Sequence, residues 1–485
     1  MKKIAQLVKG IEIISVHGQT LLNCEINNIQ TDHKKINSND LYTALIGYGI
    51  NGHNYISNAI KKGASVIVCS ELPDNLIESI TYIIVNDTYK AISKISANYY
   101  ENPSEHIKVI GVTGTNGKTS TVTLLHQLYR KLNYKCGLIS TICNKINDKE
   151  LSTDKTTPVS LDLQRLLREM VEAECQYCFM ECSSHGIFQS RVSEISFMGA
   201  VFTNITHEHL DYHGSFEEYY RVKKSFLDSL PHNAFIIYNK DDFAGSTIIS
   251  ECKAKCISVS LKDIESHFHC TLLKDDLKGL NIKMHGRDIK LQLIGAFNCY
   301  NILATVAVAV SMGVNIEEVL DLLPILSPVT GRFDAIKFTE NIIGIIDYAH
   351  TPDAYEKLYG TICKIKKNRI ISIIGFNGQR DSLKRPMMAK IASKYSDHLI
   401  ITSDNPDWED PQKIVKDALE GVEGNLSNVH LIEDRRLAIK FAISLAKPYD
   451  IILLLGKGPD NYQKIKGIIY PFNDKEILIE LMESK

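Results

Sequence analysis

The 485-residue chain has room for about three folded units of roughly 150 residues each, and its 44% hydrophobic and 23% charged residues exclude a dominant disordered tail or fibrous repeat. Lys plus Arg total 55 against 57 for Asp plus Glu, a formal charge of -2. That balance removes the broad basic footprint of a general nucleic-acid binder and leaves any anionic ligand to be met by local cations.

From the N-terminus, strand-like runs at 11–16, 65–68 and 82–85 alternate with polar turns around a helical pattern at 56–62, which predicts a small α/β unit. The polar, proline-bearing stretch 99–106 precedes an abrupt strand–loop–helix and marks a first boundary, giving a domain at 1–104. The central region, 105–331, predicts strands at 108–112, 176–181, 200–202 and 235–238, a helix after Lys118 and an apolar helix at 296–312. The turn-forming cluster Ser327-Pro328-Val329-Thr330-Gly331 ends it. Beyond, strands at 342–346, 370–374, 398–402 and 450–455 alternate with helices, the pattern of a second doubly wound parallel sheet over 332–485. The fold class is therefore α/β throughout. No apolar run approaches the ~20 residues that cross a bilayer, so no membrane insertion is expected. Twelve cysteines sit mostly inside apolar segments such as Val66-Ile67-Val68-Cys69, the habit of reduced thiols used as small hydrophobes, and point to the cytoplasm.

The sharpest motif is Gly111-Val112-Thr113-Gly114-Thr115-Asn116-Gly117-Lys118-Thr119-Ser120. An apolar strand runs into a glycine-rich loop that opens a helix with apolar positions Val122, Leu125 and Tyr129 on one face. Gly114 and Gly117 let backbone N–H groups approach phosphate oxygens, the helix N-terminus adds partial positive charge, Lys118 reaches the outer phosphates, and Thr119 can ligate Mg²⁺. One position departs from the common phosphate-loop spacing, with Val112 in place of a glycine. The triplet Gly117-Lys118-Thr119 in this context points to ATP or another nucleoside triphosphate.

Other clusters carry less. Cys175, Cys178 and Cys182 suggest a metal knuckle, but 178–182 reads as a buried strand and the cysteines as core. The run Thr206-His207-Glu208-His209-Leu210-Asp211 is dense in ligand types, yet a His-Glu-x-x-His metalloprotease site starting at His207 would need histidine where Asp211 stands.

From the loop onward the sequence resembles the Mur ligase family over nearly its whole length. The matching elements, in order, are Thr156-Thr157-Pro158; Glu181-Cys182-Ser183-Ser184-His185; Thr203-Asn204-Ile205-Thr206 leading to His209-Leu210-Asp211-Tyr212-His213-Gly214; Asn298 with Asn301; Gly331-Arg332; Asp347-Tyr348-Ala349-His350-Thr351-Pro352; and Lys384-Arg385-Pro386. Within the family, Asp404-Asn405-Pro406 and Gly456-Lys457-Gly458 resemble the branch that adds the third residue to a UDP-N-acetylmuramoyl-dipeptide. The segments 39–44 and Asn51-Gly52-His53 match the part that holds the uridine nucleotide.

The resemblance implies three domains: a UDP-binding N-terminal unit, a central ATPase with a mainly parallel sheet, and a C-terminal Rossmann-like unit that binds the amino acid. It implies ATP and Mg²⁺ as cofactors, an acyl-phosphate intermediate, and the UDP-N-acetylmuramoyl-dipeptide and a free amino acid as partners; a monomer is expected, although no sequence feature fixes the oligomeric state. ATP would be held by Gly114, Thr115, Asn116, Gly117, Lys118, Thr119 and Ser120, with Asn301, Arg332, Asp347 and His350 around base and ribose. The muramyl peptide would be held by Thr156, Thr157, Ser183, Gln189 and Arg191. Arg191 has its own logic, since a pyrophosphate and free carboxylates need planar cations, although a surface loop arginine is its plain alternative.

Metal ligands would be Thr119, Glu181, His209 and Lys223 as a carbamate, and Lys118, Lys223, His209 and Glu181 would carry the catalysis. Glu181 ends a predicted strand, where ligands bind in open α/β sheets, although a helix N-cap carboxylate reads the same way. For Lys223 the physical case is burial, which lowers a lysine pKa so that the neutral amine captures carbon dioxide; Lys224 is as plausible from the sequence alone.

The amino-acid pocket would use Arg380, Asp404, Asn405, Asp407, Gly456 and Asp460. In relatives that add meso-diaminopimelate, arginine follows Asp-Asn-Pro; here Asp407 does, and Pro459-Asp460 follows Gly456-Lys457-Gly458 where histidine and glutamate are usual. An acid facing the pocket favours a basic amino acid such as L-lysine or L-ornithine, with diaminopimelate as the alternative, because a buried unpaired charge costs roughly 2–5 kcal/mol. A divergent ligase acting on another carboxylate, a P-loop kinase and a nucleotide-regulated binding protein are the remaining alternatives.

Overall fold

The computed structural model describes residues 2–19, 24–47, 49–423 and 426–484. The chain resolves into two compact units, the first made of Met1–Thr113, Leu132–Ala200 and Leu230–Ala234, the second of Gly114–Lys131, Val201–Ser229 and Phe235–Lys485.

In the first unit the N-terminal sheet has the strand order Ile13–Gly18, Thr81–Val85, Ala64–Cys69, Asp40–Thr43, Ile29–Gln30. Only the first pair is antiparallel. The run Val66-Ile67-Val68-Cys69 is fully buried because both faces are covered. Ile4, Leu7, Ala91 and Ile95 cover one face, and Ile56 and Ala59 the other. The same unit holds the strands Lys149–Leu151, Asn144–Ile146, Cys136–Ile139, Tyr177–Glu181 and Lys108–Thr113 side by side, and the start of Phe197–Phe202 follows. Tyr177–Glu181 lies parallel to both Lys108–Thr113 and Cys136–Ile139, so Val112 and Glu181 stand opposite each other at the carboxyl ends.

The second unit takes the end of Phe197–Phe202, then Phe235–Asn239, Lys255–Ser260 and Phe268–Asp276, and closes with the antiparallel strands Gly279–Met284 and Arg287–Leu291. The helix Lys118–Lys131 buries Val122, Leu124, Leu125, Leu128 and Tyr129, and the helix Phe297–Ser311 is buried almost all round.

The C-terminal sheet in this unit has the order Asp334–Lys337, Ile343–Asp347, Ile451–Leu455, Ile370–Ile374, His398–Ile401, Val429–Leu431, parallel after the first strand. Side-chain alternation sends Ile370 and Ile374 to the face of Pro352–Ile365, Lys384–Tyr395 and Pro411–Leu419. Ile371 and Ile373 go to the face of Arg435–Leu445 and Asp474–Glu483. On that second face Arg435 and Asp474, both fully buried, make a bidentate ion pair with distances of 2.8 and 2.6 Å. Parallel strands of this kind put their carboxyl ends at one edge, and the loops after Asp347, Ile374, Ile401 and Leu455 gather there.

Each expected strand falls within a few residues of an observed one, but many observed strands were not expected from the sequence, among them Asp40–Thr43, Cys136–Ile139, Lys255–Ser260, Asp334–Lys337, the antiparallel strands from Phe268 to Leu291 and the hairpin Tyr462–Ile465 with Ile468–Pro471.

Candidate active site

The phosphate loop is shaped by close contact with Thr203 and Asn204. Gly114 has φ +144°, and a Cβ there would lie 1.9 Å from Thr203 Oγ1; Gly117 has φ +88°, and a Cβ there would lie 2.8 Å from Asn301 Oδ1. Asn204 clamps the loop, its carbonyl accepting from Thr115 N–H at 2.8 Å and its side chain bonding Asn116 N–H and C=O, both at 3.0 Å. Thr203 Oγ1 donates to Asn116 C=O at 2.7 Å. Thr203 and Asn204 stand in a segment that matches the family, but no sequence signal marks them for this contact. Lys118 Nζ donates to the carbonyls of Gly114 (2.8 Å) and Thr115 (2.7 Å), which holds its ammonium at the loop.

The loop faces a cavity of about 280 Å³. Asn116, Gly117 and Ser120 line it together with Asn301, Arg332, Asp347 and His350, so the residues expected around base and ribose share one space with the loop. Asp241, Tyr300 and Lys357 also line it and were not expected. Arg332 stacks 4.5 Å over the Tyr348 ring and donates to Thr119 Oγ1 at 3.2 Å, which aims a planar cation at the helix N-terminus. Burial raises the Asp347 carboxyl above its ordinary value, against the pull of Arg332 and of the backbone N–H groups of Phe333 (2.6 Å) and Ala349 (2.7 Å).

A charged cluster lies beside the loop. Glu208 is buried and accepts from His350 Nε2 at 2.9 Å, with His209 Nε2 at 3.5 Å. Burial works to raise Glu208, but His209, His350 and Lys118 outweigh it and hold the carboxyl well below the usual range. Burial lowers His209 to about 4, leaving its imidazole neutral near pH 7 and fit to ligate a metal. Burial also lowers the Lys384 ammonium, which feels Glu208, Asp381 and Asp211; its motif was recognised in the sequence, its proximity to Glu208 was not.

Burial separates Lys223 from Lys224. Lys223 is 1% exposed, donates to Gly114 C=O at 3.0 Å and lies 4.6 Å over the Tyr219 ring. Lys224 pairs at the surface with Asp228 and Glu251.

In the first unit the residues expected to hold the muramyl peptide form one hydrogen-bonded network around Glu181. Its carboxylate accepts from Thr141 N–H (2.7 Å) and Oγ1 (3.1 Å), and Thr141 also bonds Thr156 Oγ1 at 3.0 Å. Thr157 Oγ1 donates to Glu181 C=O at 2.7 Å and accepts from Ser183 N–H at 2.9 Å. Arg191 Nη1 donates to Thr157 C=O at 2.6 Å, and its Nη2 and Nε hold Gln189 Oε1. The N-cap of the helix Ser184–Phe188 is Ser183, through Gly186 N–H, so Glu181 is not the capping carboxylate that its sequence position also allowed.

At the carboxyl edge of the C-terminal sheet, Lys457 is fully buried between Asp404 Oδ1 (3.2 Å) and Asn405 Oδ1 (3.1 Å), and Asn405 Nδ2 reaches Asp460 Oδ2 at 3.4 Å. Gly456 packs on Asp404 Oδ2, where a Cβ would stand 2.9 Å away. Arg380 is exposed on the neighbouring loop, tied in through Gly378 N–H to Asn405 C=O at 2.9 Å. Asp407 does not stand as the lone acid the sequence suggested, because its Oδ2 is 2.7 Å from Lys464 Nζ and its Oδ1 accepts from Gly467 N–H at 3.1 Å.

The chain matches three family domains: Mur ligase family, catalytic domain, over residues 25–111; Mur ligase middle domain over 112–309; and Mur ligase, glutamate ligase domain, over 331–458. The UDP-N-acetylmuramoyl-L-alanyl-D-glutamate--2,6-diaminopimelate ligase of Phocaeicola vulgatus is 42% identical over 486 residues, covering 100% of both chains.

The chain belongs to the Mur ligase family.

The ligase of the same name from Cytophaga hutchinsonii is 43% identical, covering 99% of each chain. Among solved structures, a UDP-N-acetylmuramoyl-L-alanyl-D-glutamate--2,6-diaminopimelate ligase superposes with a TM-score of 0.68 at 27% identity, over 100% of this chain and 99% of that one. MurF from Acinetobacter baumannii shares the fold, with a TM-score of 0.67 at 20% identity over 99% of both chains. This Mur ligase has the three-domain α/β architecture of the family, and it is an ATP-dependent amide ligase that works with Mg²⁺.

The residues present fit that metal. Among the described residues no group of three His, Cys, Asp or Glu could hold an ion by itself. Mg²⁺ asks for less, since it keeps waters and takes phosphate oxygens beside one or two protein ligands. The Thr119 hydroxyl and the neutral His209 beside the phosphate loop are donors of that kind.

Proposed function

We propose that this Mur ligase joins 2,6-diaminopimelate to the glutamate carboxylate of UDP-N-acetylmuramoyl-L-alanyl-D-glutamate, converting ATP to ADP and phosphate. The observation that carries the reading is the end-to-end match, at 42–43% identity, to relatives that bear the name of this reaction. L-lysine, the acceptor favoured by an acid at 407, loses its ground once Asp407 is paired with Lys464. The roles divide as 1–104 for the uridine nucleotide, 105–331 for ATP and 332–485 for the amino acid, in a monomer acting in the cytoplasm. No helix among the described residues is long and apolar enough to cross a membrane.

A carboxylate resists attack by an amine because it is anionic and lacks a leaving group, and phosphorylation removes both obstacles. Lys118, fixed at the loop, and Arg332, stacked on Tyr348, supply cations for the charge that moves with the γ-phosphoryl group. Mg²⁺, when bound, adds Lewis-acid stabilisation of the same charge. Thr119, His209 and Lys223 as a carbamate would hold it beside the phosphate loop. Thr156, Thr157, Ser183, Gln189 and Arg191 hold the muramyl peptide, and Arg380, Asp404, Asn405 and Asp460 hold the amino acid, Asp404 and Asp460 facing its ammonium charge.

Phosphate release tests the reading. It is expected to require UDP-N-acetylmuramoyl-L-alanyl-D-glutamate and meso-diaminopimelate together, and Lys223→Ala is expected to abolish most of it. Release with either substrate omitted would point to a kinase or an uncoupled ATPase, and a fully active Lys223→Ala variant would remove that lysine from the mechanism.

A further inference from the structure

Tyr219 is fully buried on the helix Phe216–Asp228, one turn ahead of Lys223, so the two side chains share a face. Its hydroxyl lies 2.9 Å from Thr115 Oγ1 and 3.5 Å from Glu208 Oε2. Thr115 stands in the phosphate loop between Gly114 and Asn116, and its hydroxyl also accepts from Thr206 N–H at 3.0 Å and reaches Thr206 C=O at 3.3 Å. A hydroxyl has one proton and two lone pairs, so Tyr219 completes the set that holds this side chain. Thr115 is itself only 4% exposed, which leaves water no easy way to replace a lost partner. The Tyr219 ring meets the loop a second time, through Lys223. Lys223 Nζ stands 4.6 Å over the ring and donates to Gly114 C=O at 3.0 Å, the same carbonyl that accepts from Lys118 Nζ at 2.8 Å. The face of an aromatic ring attracts an N–H whether the nitrogen is a charged amine or a carbamate, so it steadies Lys223 on that shared carbonyl in either state.

We propose that Tyr219 is a positioning residue for phosphoryl transfer: its hydroxyl holds Thr115, and with it the shape of the phosphate loop, while its ring holds the Lys223 nitrogen beside Gly114. The ring's part rests on the role given to Lys223 above, and the hydroxyl's part does not. Tyr219 acts through these two neighbours. One buried side chain thus sets the loop and the lysine in register, and a tyrosine four residues before a lysine carries no signal of it in the sequence.

Calorimetric titration of a non-hydrolysable ATP analogue with Mg²⁺ into Tyr219→Phe, Thr115→Val and the double variant tests the hydroxyl without turnover. Each single change is expected to weaken nucleotide binding by about fivefold, the scale of one lost hydrogen bond, and the double variant by little more than either, because both changes remove the same bond. Under turnover, Tyr219→Phe keeps the ring and is expected to raise KM for ATP more than it lowers kcat. Tyr219→Met, an unbranched apolar replacement without the ring, is expected to lower kcat about tenfold further. KM for the muramyl dipeptide is expected to stay unmoved in Tyr219→Phe, a split that a merely structural loss would not produce. Losses that add in the double variant, or an unmoved nucleotide affinity in Tyr219→Phe, overturn the hydroxyl's role, and equal kcat in the Phe and Met variants overturns the ring's. A fully active Lys223→Ala variant beside non-additive losses removes the reading of Lys223 and leaves the hold on the loop standing.

Discussion

Burial, with the Asp404 carboxylate beside it, pushes Asp460 up to about 6, against the opposing pull of Lys457, Asn405 and Arg332. The folded protein thus holds this proton more tightly than the unfolded chain, whose aspartate titrates near 3.8. The associated stability is fully present below the unfolded value and is lost as pH rises through about 6. The loss reaches roughly 3 kcal/mol at most, taking about 1.4 kcal/mol per pKa unit. Asp460→Asn is expected to flatten the fall in urea midpoint between about pH 4 and pH 6.5, and an unaltered slope would show that Asp460 titrates normally. In the wild type, KM for the amino acid should drop across the same window as the carboxylate that faces its ammonium ionises. Residue identity alone marked Asp460 as a candidate; its shift depends on Asp404, which is distant in sequence. The same limit hid the partner of Asp407, because a charge can be read from one position but its neutralisation by Lys464 needs the folded hairpin.

At the scale of elements, legibility follows burial. Ile370-Ile371-Ser372-Ile373-Ile374 reads as a strand because helices cover both faces and the whole run must be apolar. The strands between Phe268 and Leu291 mix exposed and buried positions, and their turns carry weak signals. His285-Gly286 and Lys466-Gly467 each have φ > 0 at both residues, as tight hairpin turns require, but with His and Lys in place of the usual Asn or Asp. The phosphate loop was legible for the opposite reason, since its glycines are forced by contact as well as by conformation. Gly114→Ala would drive a Cβ into Thr203 Oγ1 and is expected to weaken nucleotide binding by about tenfold or more, some 1.4 kcal/mol, measured by titration calorimetry. Gly286→Ala provides the contrast: it too has a positive φ but nothing within 4 Å, so it should cost about 1–2 kcal/mol of stability and leave nucleotide affinity unchanged. Equal nucleotide affinity in the two variants would mean that the Thr203 contact does not shape the loop.

For the whole molecule, a formal charge of -2 gave no hint of two strongly anionic ligands, because the cations that meet them are local and each is held by its own partners. Lys118 and Arg332 belong to the unit that contains the phosphate loop, whereas Arg191 and the network of Thr156, Thr157, Ser183 and Gln189 belong to the other. Ligand-induced protection should divide the same way. A non-hydrolysable ATP analogue with Mg²⁺, at about 100 times its Kd, stabilises the folded state by about 2.7 kcal/mol. Hydrogen exchange is expected to slow over 114–120 and 331–350, where the loop and the cavity lining lie. The UDP-muramoyl-dipeptide, added alone, is expected to slow exchange over 156–191, where backbone groups of Thr157, Glu181 and Ser183 already share one network. Protection by the nucleotide confined to 156–191, or by the muramyl peptide confined to 114–120, would reverse the assignment of the two sites. The experiment needs no turnover, so it separates where each substrate binds from whether the acceptor has been named correctly.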